Sequence, residues 1–197
     1  MNAFFTYFQL GYEHITDLGG YDHMLFIVAL CAVYSLDHWR QLLWVVTFFT
    51  IGHSITLALS VTKVVSVDSA LIEFLIPCTI FITAINNFSI KNSESVLRKG
   101  PPPYLRYMFT LFFGLIHGLG FSNYLKSLLG QSANIVSELF AFNIGLEIGQ
   151  ILIVFLFMLI SFIFINIINV KKRELNLVVS ALVAGITVHL IIDKWIF

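Results

Sequence analysis

From Ile151 to Ile165 the chain runs without one charged residue, and no other feature restricts its fold as much. The run is too long for an ordinary core strand, and a segment that is apolar on every face finds its surroundings in lipid. Similar segments recur: 58% of the residues are apolar and only 11% are charged. A membrane β-barrel does not fit, because its strands alternate apolar and polar residues and these segments do not. The sequence predicts an all-α, polytopic helical membrane protein.

Six spans are expected, at about 22–36, 40–61, 68–89, 104–123, 134–168 and 175–196. The fifth is too long for one straight crossing, so it tilts, breaks or begins along the surface. Ahead of the first span, Ala3 to Thr16 is too short to cross. With Phe4, Phe5 and Phe8 toward lipid it reads as an interfacial or re-entrant helix. Gly19–Gly20 breaks the chain, and Asp22 is placed to cap the helix that follows. The N-terminus has no basic n-region and no small-residue cleavage site, so no removable signal peptide is expected. Residues 1–197 read as a single transmembrane domain, with 1–20 as an outer segment and 90–106 as a cytoplasmic loop. That loop carries Pro101, Pro102 and Pro103 and divides the spans into two sets of three. No internal repeat is evident, which leaves an inverted-repeat architecture open.

Basic residues set the orientation. One side of this layout collects Arg40, Lys91, Arg98, Lys99, Arg106, Lys171, Lys172 and Arg173; the other collects Lys63, Lys126 and Lys194. The richer side is expected to face the cytoplasm, which puts a multi-pass protein in the inner membrane with both termini outside. A net charge of zero gives no sign of a nucleic-acid partner. Cys31 and Cys78 sit mid-segment among apolar neighbours and read as small buried hydrophobes.

Against this apolar background the histidines stand out. Ionisable groups in a bilayer are costly, and they persist where they pair, bind something or line a water-filled path. His53 lies 13 positions past Arg40 and His117 lies 11 past Arg106, which puts them roughly 20 Å and 17 Å from the basic surface by helical rise. His189, 16 past Arg173, comes out at roughly 24 Å. His23 opens the first span from the other side. All four fall in the outer half, and imidazole with carboxylate is a ligand set for a divalent transition metal.

Five motifs carry this chemistry. In the first, a turn at Gly19–Gly20 could fold His14 and Asp17 back toward Asp22 and His23, giving four donor groups at an outer vestibule. Helix capping by Asp22 is the plainer alternative. The second is Thr50-Ile-Gly-His53-Ser54-Ile-Thr56, a polar stripe that could ligate through His53 or merely satisfy it through Ser54 and the threonines. In the third, Gly114, Gly118 and Gly120 surround His117 and allow close helix approach. The fourth sets Asn143, Glu147 and Gln150 at i, i+4 and i+7 on one face. A carboxylate this deep needs a metal, a proton or an ionised His as partner. In the fifth, Asp193 follows His189 by one turn and could orient its ring. The expected ligands are thus His14, Asp17, Asp22, His23, His53, His117, Glu147 and His189, supported by Ser54, Asn143, Gln150 and Asp193.

Gly20-Tyr-Asp22-His23, Gly52-His53-Ser54-Ile-Thr56-Leu, Gly114-Leu-Ile-His117-Gly118-Leu-Gly120-Phe121 and Phe142-Asn143-Ile-Gly145-Leu-Glu147-Ile-Gly149-Gln150 come in one order over most of the chain. Together they resemble the HupE/UreJ family of hydrogenase and urease accessory membrane proteins, in particular its shorter branch. The resemblance implies uptake of nickel, or alternatively cobalt, across the inner membrane, with metalloenzyme-maturation proteins as partners beside the bilayer and the metal ion. Two departures stand out. Nickel permeases of the family carry a His, five residues, then Asp-His, whereas seven residues separate His14 from Asp22. Their fourth-helix motif pairs two histidines with a glutamate, whereas here His117 stands alone and Glu147 lies on another helix. Three functions stay open: a metal permease, an intramembrane zinc-dependent hydrolase of a lipid or peptide bond, and a non-catalytic partner subunit. Homo-oligomerisation is open as well.

Overall fold

Helices follow the apolar runs. A computed structural model describes residues 3–90, 103–129 and 134–196, which are all-helical apart from turns and connections. The helices are α1 (Ala3–Thr16), α2 (Asp22–Ala32), α3 (Trp39–Val61), α4 (Ser69–Phe88), α5 (Pro103–Leu129), α6 (Ile135–Phe162) and α7 (Lys172–Asp193). A 3₁₀ turn at Leu36–His38 precedes α3, and a π-helical turn at Ile163–Ile167 extends α6. Five helices, α3 to α7, are long and apolar enough to cross a membrane. The expected first span is the exception. At 11 residues α2 reaches about 16 Å, short of a 30 Å hydrocarbon core. Most of the expected cytoplasmic loop, 91–102, lies outside the described residues.

Two helix crossings, each built on glycine, organise the bundle. α3 packs along α5 where a Cβ on Gly52 would collide with the Leu111 carbonyl, and one on Gly114 with the Phe49 carbonyl. α1 packs along α6 in the same manner: a Cβ on Gly145 would meet the Phe8 carbonyl, and one on Gly11 the Phe142 carbonyl. Only a residue without a side chain lets backbones come so near.

The two crossings correspond residue by residue. Phe8, Gly11, Tyr12 and His14 of α1 match Leu111, Gly114, Leu115 and His117 of α5. Phe49, Gly52 and His53 of α3 match Phe142, Gly145 and Leu146 of α6. In both crossings contacts rise together in number along the two helices, so the partners are parallel. α1 and α5 are antiparallel, since Tyr7 reaches the Leu128 carbonyl while His14 meets Phe121, so their parallel partners α6 and α3 are antiparallel as well. Each helix therefore matches one of opposite direction, and the chain holds an inverted repeat. The sequence hides it because little more than Phe-x-Ile-Gly, at 49–52 and 142–145, and Gly-x-x-His, at 11–14 and 114–117, is shared in letters.

α4 and α7 complete the bundle and are tied at both ends. Near the arginine-rich end Asn87 donates to the Ala29 carbonyl at 2.8 Å, and Asn176 donates to the Asn87 carbonyl at 3.0 Å. Arg173 donates to the carbonyls of Phe88 and Ile90, groups left free where α4 ends. At the other end Lys194 pairs with Glu73 at 2.8 Å, and this hydrogen-bonded carboxylate raises the ammonium above the ordinary lysine range. Apolar packing falls into two clusters, one around Phe142, Leu146 and Leu42 and one around Phe26, Phe49 and Ile80.

Candidate metal centre

Between those two clusters four imidazoles meet. α1 brings His14, α2 brings His23, α3 brings His53 and α5 brings His117. Ring centroids are 4.7 Å apart for His14 and His23, 5.8 Å for His14 and His53, 5.8 Å for His23 and His53, and 5.0 Å for His23 and His117. His53 and His117 are fully buried, and His23 is buried. Ligand nitrogens of His14, His23 and His53 all lie within 4.8 Å of one another, an arrangement that could hold a metal ion. Imidazoles about 2.0–2.1 Å from a tetrahedral ion stand roughly 3.4 Å apart, so a small closure suffices.

Hydrogen bonding singles out the same atoms. The Asp22 carboxylate lies 2.9 Å from His23 Nδ1 and also accepts from the His23 backbone N–H. Asp22 is therefore the first residue of α2 and turns to its neighbour's ring instead of capping the helix. With the proton held on Nδ1, His23 offers the lone pair of Nε2. His117 Nε2 is 3.0 Å from the Thr79 hydroxyl, two residues after Pro77, which interrupts the α4 hydrogen-bond ladder. Left without partners are His14 Nε2, His23 Nε2, both nitrogens of His53 and His117 Nδ1. A buried polar atom with no partner costs about 1–3 kcal/mol. Five such atoms belong to this one cluster of imidazoles, and three of its rings each bring a ligand atom within 4.8 Å of the other two.

Asp22→Asn tests the orienting contact. An amide can present its N–H₂ to the ring and stabilise the wrong tautomer. Metal affinity is expected to fall by about 10–100-fold, the usual worth of a ligand's hydrogen-bond partner. Equilibrium dialysis of the purified variant reads this, and unchanged affinity would show that Asp22 does not set the tautomer.

A cavity of about 650 Å³ leads to His14; its walls include Leu10, Glu13, Asp17, Phe121 and Tyr124. It lies on the side of the histidines away from Arg106, because Phe121 and Tyr124 follow His117 on α5. Phe121 packs against His14 at 3.9 Å between centroids, its ring tilted by 35°. Asp17 is exposed and accepts from the Gly19 N–H at 2.8 Å, so it lines the vestibule without reaching the imidazoles.

The remaining expected residues fall elsewhere. Glu147 is on the α3–α6 seam, where it accepts from the Thr47 hydroxyl at 2.7 Å. Gln150 accepts from Thr50 at 2.6 Å on the same seam. Ser54 donates to the Thr50 carbonyl. His189 and Asp193 are exposed on α7, with no hydrogen bond between them among the described residues, and the structure does not bring them to the cluster. Sequence reasoning missed Thr79, Thr47 and Glu13. Glu13, next to His14, was findable by adjacency, whereas nothing local marks the two threonines.

Residues 1–197, the whole chain, match the family described as HupE / UreJ protein. No curated protein and no solved structure matches.

Proposed function

The chain belongs to the HupE/UreJ family, and on that premise we propose that it carries a divalent transition-metal ion across the inner membrane, nickel in preference to cobalt or zinc. The observation behind this reading is the meeting of His14, His23 and His53 from three helices, with unpartnered ring nitrogens and ligand atoms within 4.8 Å of one another. Neutral imidazole suits nickel, cobalt and zinc and excludes harder ions such as magnesium. In this reading α1 and α2 together make a sixth crossing, broken at Asp17–Tyr21 near the imidazoles. Discontinuous helices of this kind recur at the substrate sites of inverted-repeat transporters.

The ion enters through the vestibule, where Glu13 and Asp17 draw cations, and passes Phe121 to the histidines. With the arginine-rich end in the cytoplasm, as the basic residues favour, a doubly charged ion gains about 4.6 kcal/mol per 100 mV on its way in. A hydrolytic zinc centre is the second reading, since three imidazoles leave a fourth position for water.

Purified protein in proteoliposomes separates the two. Nickel is expected to bind at one or more equivalents and to enter vesicles faster under an inside-negative potential than without one. Binding without entry would favour the hydrolase. Neither binding nor entry of nickel, cobalt or zinc would remove both and leave the partner-subunit reading.

A further inference from the structure

A second polar site lies on the α3–α6 seam. Thr47, Thr50 and His53 are spaced i, i+3 and i+6 along α3, so one face leads from the imidazoles toward the Arg40 end. Six residues of helix put Thr47 about 9 Å beyond His53. Glu147 and Gln150 of α6 meet this face through Thr47 and Thr50, and Asn143 shares their own helix face. Glu147 is half-buried deep in a span, and its described partner is the Thr47 hydroxyl. Among the described residues the ion pairs are His23–Asp22, Lys171–Glu174 and Lys194–Glu73, and Glu147 is in none of them. A membrane carboxylate with one neutral donor is poorly compensated.

Two further atoms lack partners here. Gln150 is fully buried, with Oε1 on the Thr50 hydroxyl and Nε2 unpaired; Asn143 Oδ1 is also buried and unpaired. The Gln150–Thr50 contact can be reversed. If the amide turns over, Nε2 donates to Thr50 Oγ1 and Oε1 faces the seam. The Thr50 hydroxyl then donates to the Val46 carbonyl, already 3.4 Å away. That exchange satisfies every atom of the pair provided a cation receives the freed carbonyl oxygen. Glu147, Asn143 and Gln150 then offer oxygen donors on one face.

Resting on the transport reading above, we propose that Asn143, Glu147 and Gln150, with Thr47 and Thr50 behind them, form a second cation station that takes the divalent ion from the histidines. Oxygen ligands hold late first-row metals less firmly than imidazoles, so the ion moves from a tighter site to a looser one on its way out. In the inverted repeat Gly52-His53-Ser54 of α3 corresponds to Gly145-Leu146-Glu147 of α6, so the carboxylate falls one position after the counterpart of the imidazole.

Cobalt titration of the protein in lipid nanodiscs, by equilibrium dialysis and visible spectroscopy, tests this. Wild type is expected to bind two equivalents, the first with the intense bands of nitrogen-rich four-coordination and the second, weaker, with the faint absorption of a six-coordinate oxygen site. Glu147→Gln should keep the first, lose the second and slow nickel flux at least tenfold. Thr47→Val, nearly isosteric, should weaken only the second. A wild type with one equivalent, abolished by His53→Ala but untouched in Glu147→Gln, overturns this site and spares the histidine site. No bound cobalt at all overturns both. A Glu147→Gln protein that elutes as wild type, binds two equivalents and transports normally also refutes the proposal.

Discussion

His53→Ala is expected to abolish tight metal binding while leaving the protein folded. His53 is fully buried, and both its ring nitrogens lack partners. It stands 5.8 Å from both His14 and His23 between ring centroids. Removing it takes one ligand from a set of three, which costs more than the roughly 10–100-fold attached to a ligand's hydrogen-bond partner. Stability moves in two directions. The truncation opens a cavity next to Phe49 and Phe142, a change that destabilises. It also removes two buried polar atoms that nothing satisfies, each worth about 1–3 kcal/mol. The two effects offset, so the variant should purify as wild type does. Equilibrium dialysis with nickel, cobalt and zinc gives the readout. Affinity within threefold of wild type for all three would refute the site. His189→Ala, exposed on α7 and outside the cluster, is the matched substitution expected to change nothing.

The second large effect concerns folding. Gly52→Val is expected to prevent recovery of folded protein. Extra methylenes in a packed core usually cost about 1–3 kcal/mol, because neighbouring side chains can shift. Here the neighbour is the Leu111 backbone carbonyl, which cannot move unless α5 as a whole moves away from α3. The cost therefore exceeds that range, and Gly145→Val, against the Phe8 carbonyl, should behave alike. Gly185→Ala is the contrast, since no atom lies within 4 Å of a Cβ there. Size-exclusion profiles in mild detergent distinguish them. A monodisperse, metal-binding Gly52→Val protein would show that the crossing is not as close as described.

Length and hydropathy made the long helices legible, since a run such as Ile151–Ile165 leaves little choice in lipid. They misjudged the beginning. The apolar letters continue from Ala32 through Tyr34, but the helix stops at Ala32, and a run of letters does not reveal where hydrogen bonding ends. Depth was readable because helical rise is regular, and it placed His53 and His117 near one level. Rotation about the helix axis was not. α7 is apolar nearly all round, so nothing in its pattern told that His189 faces outward while Thr187 faces in. Glu147 had the same difficulty: its depth in a span was readable, but which helix it would meet depended on how α6 crosses α3. His14 depended on the close approach that Gly11 and Gly145 permit between α1 and α6, and two distant glycines announce no such pairing.

Those glycine crossings join four of the helices into two closely packed pairs, each drawn from both halves of the chain. His14 belongs to the α1–α6 pair, while His53 and His117 belong to the α3–α5 pair. The gap between imidazoles therefore gauges how far apart the two pairs stand. Coordination bonds tolerate only about 0.2 Å of error, so a slight parting loosens the grip without disturbing the packing inside either pair. An ion seated there would act as a clasp. On the proposed transport reading, its capture and release would follow from the two helix pairs leaning together and apart.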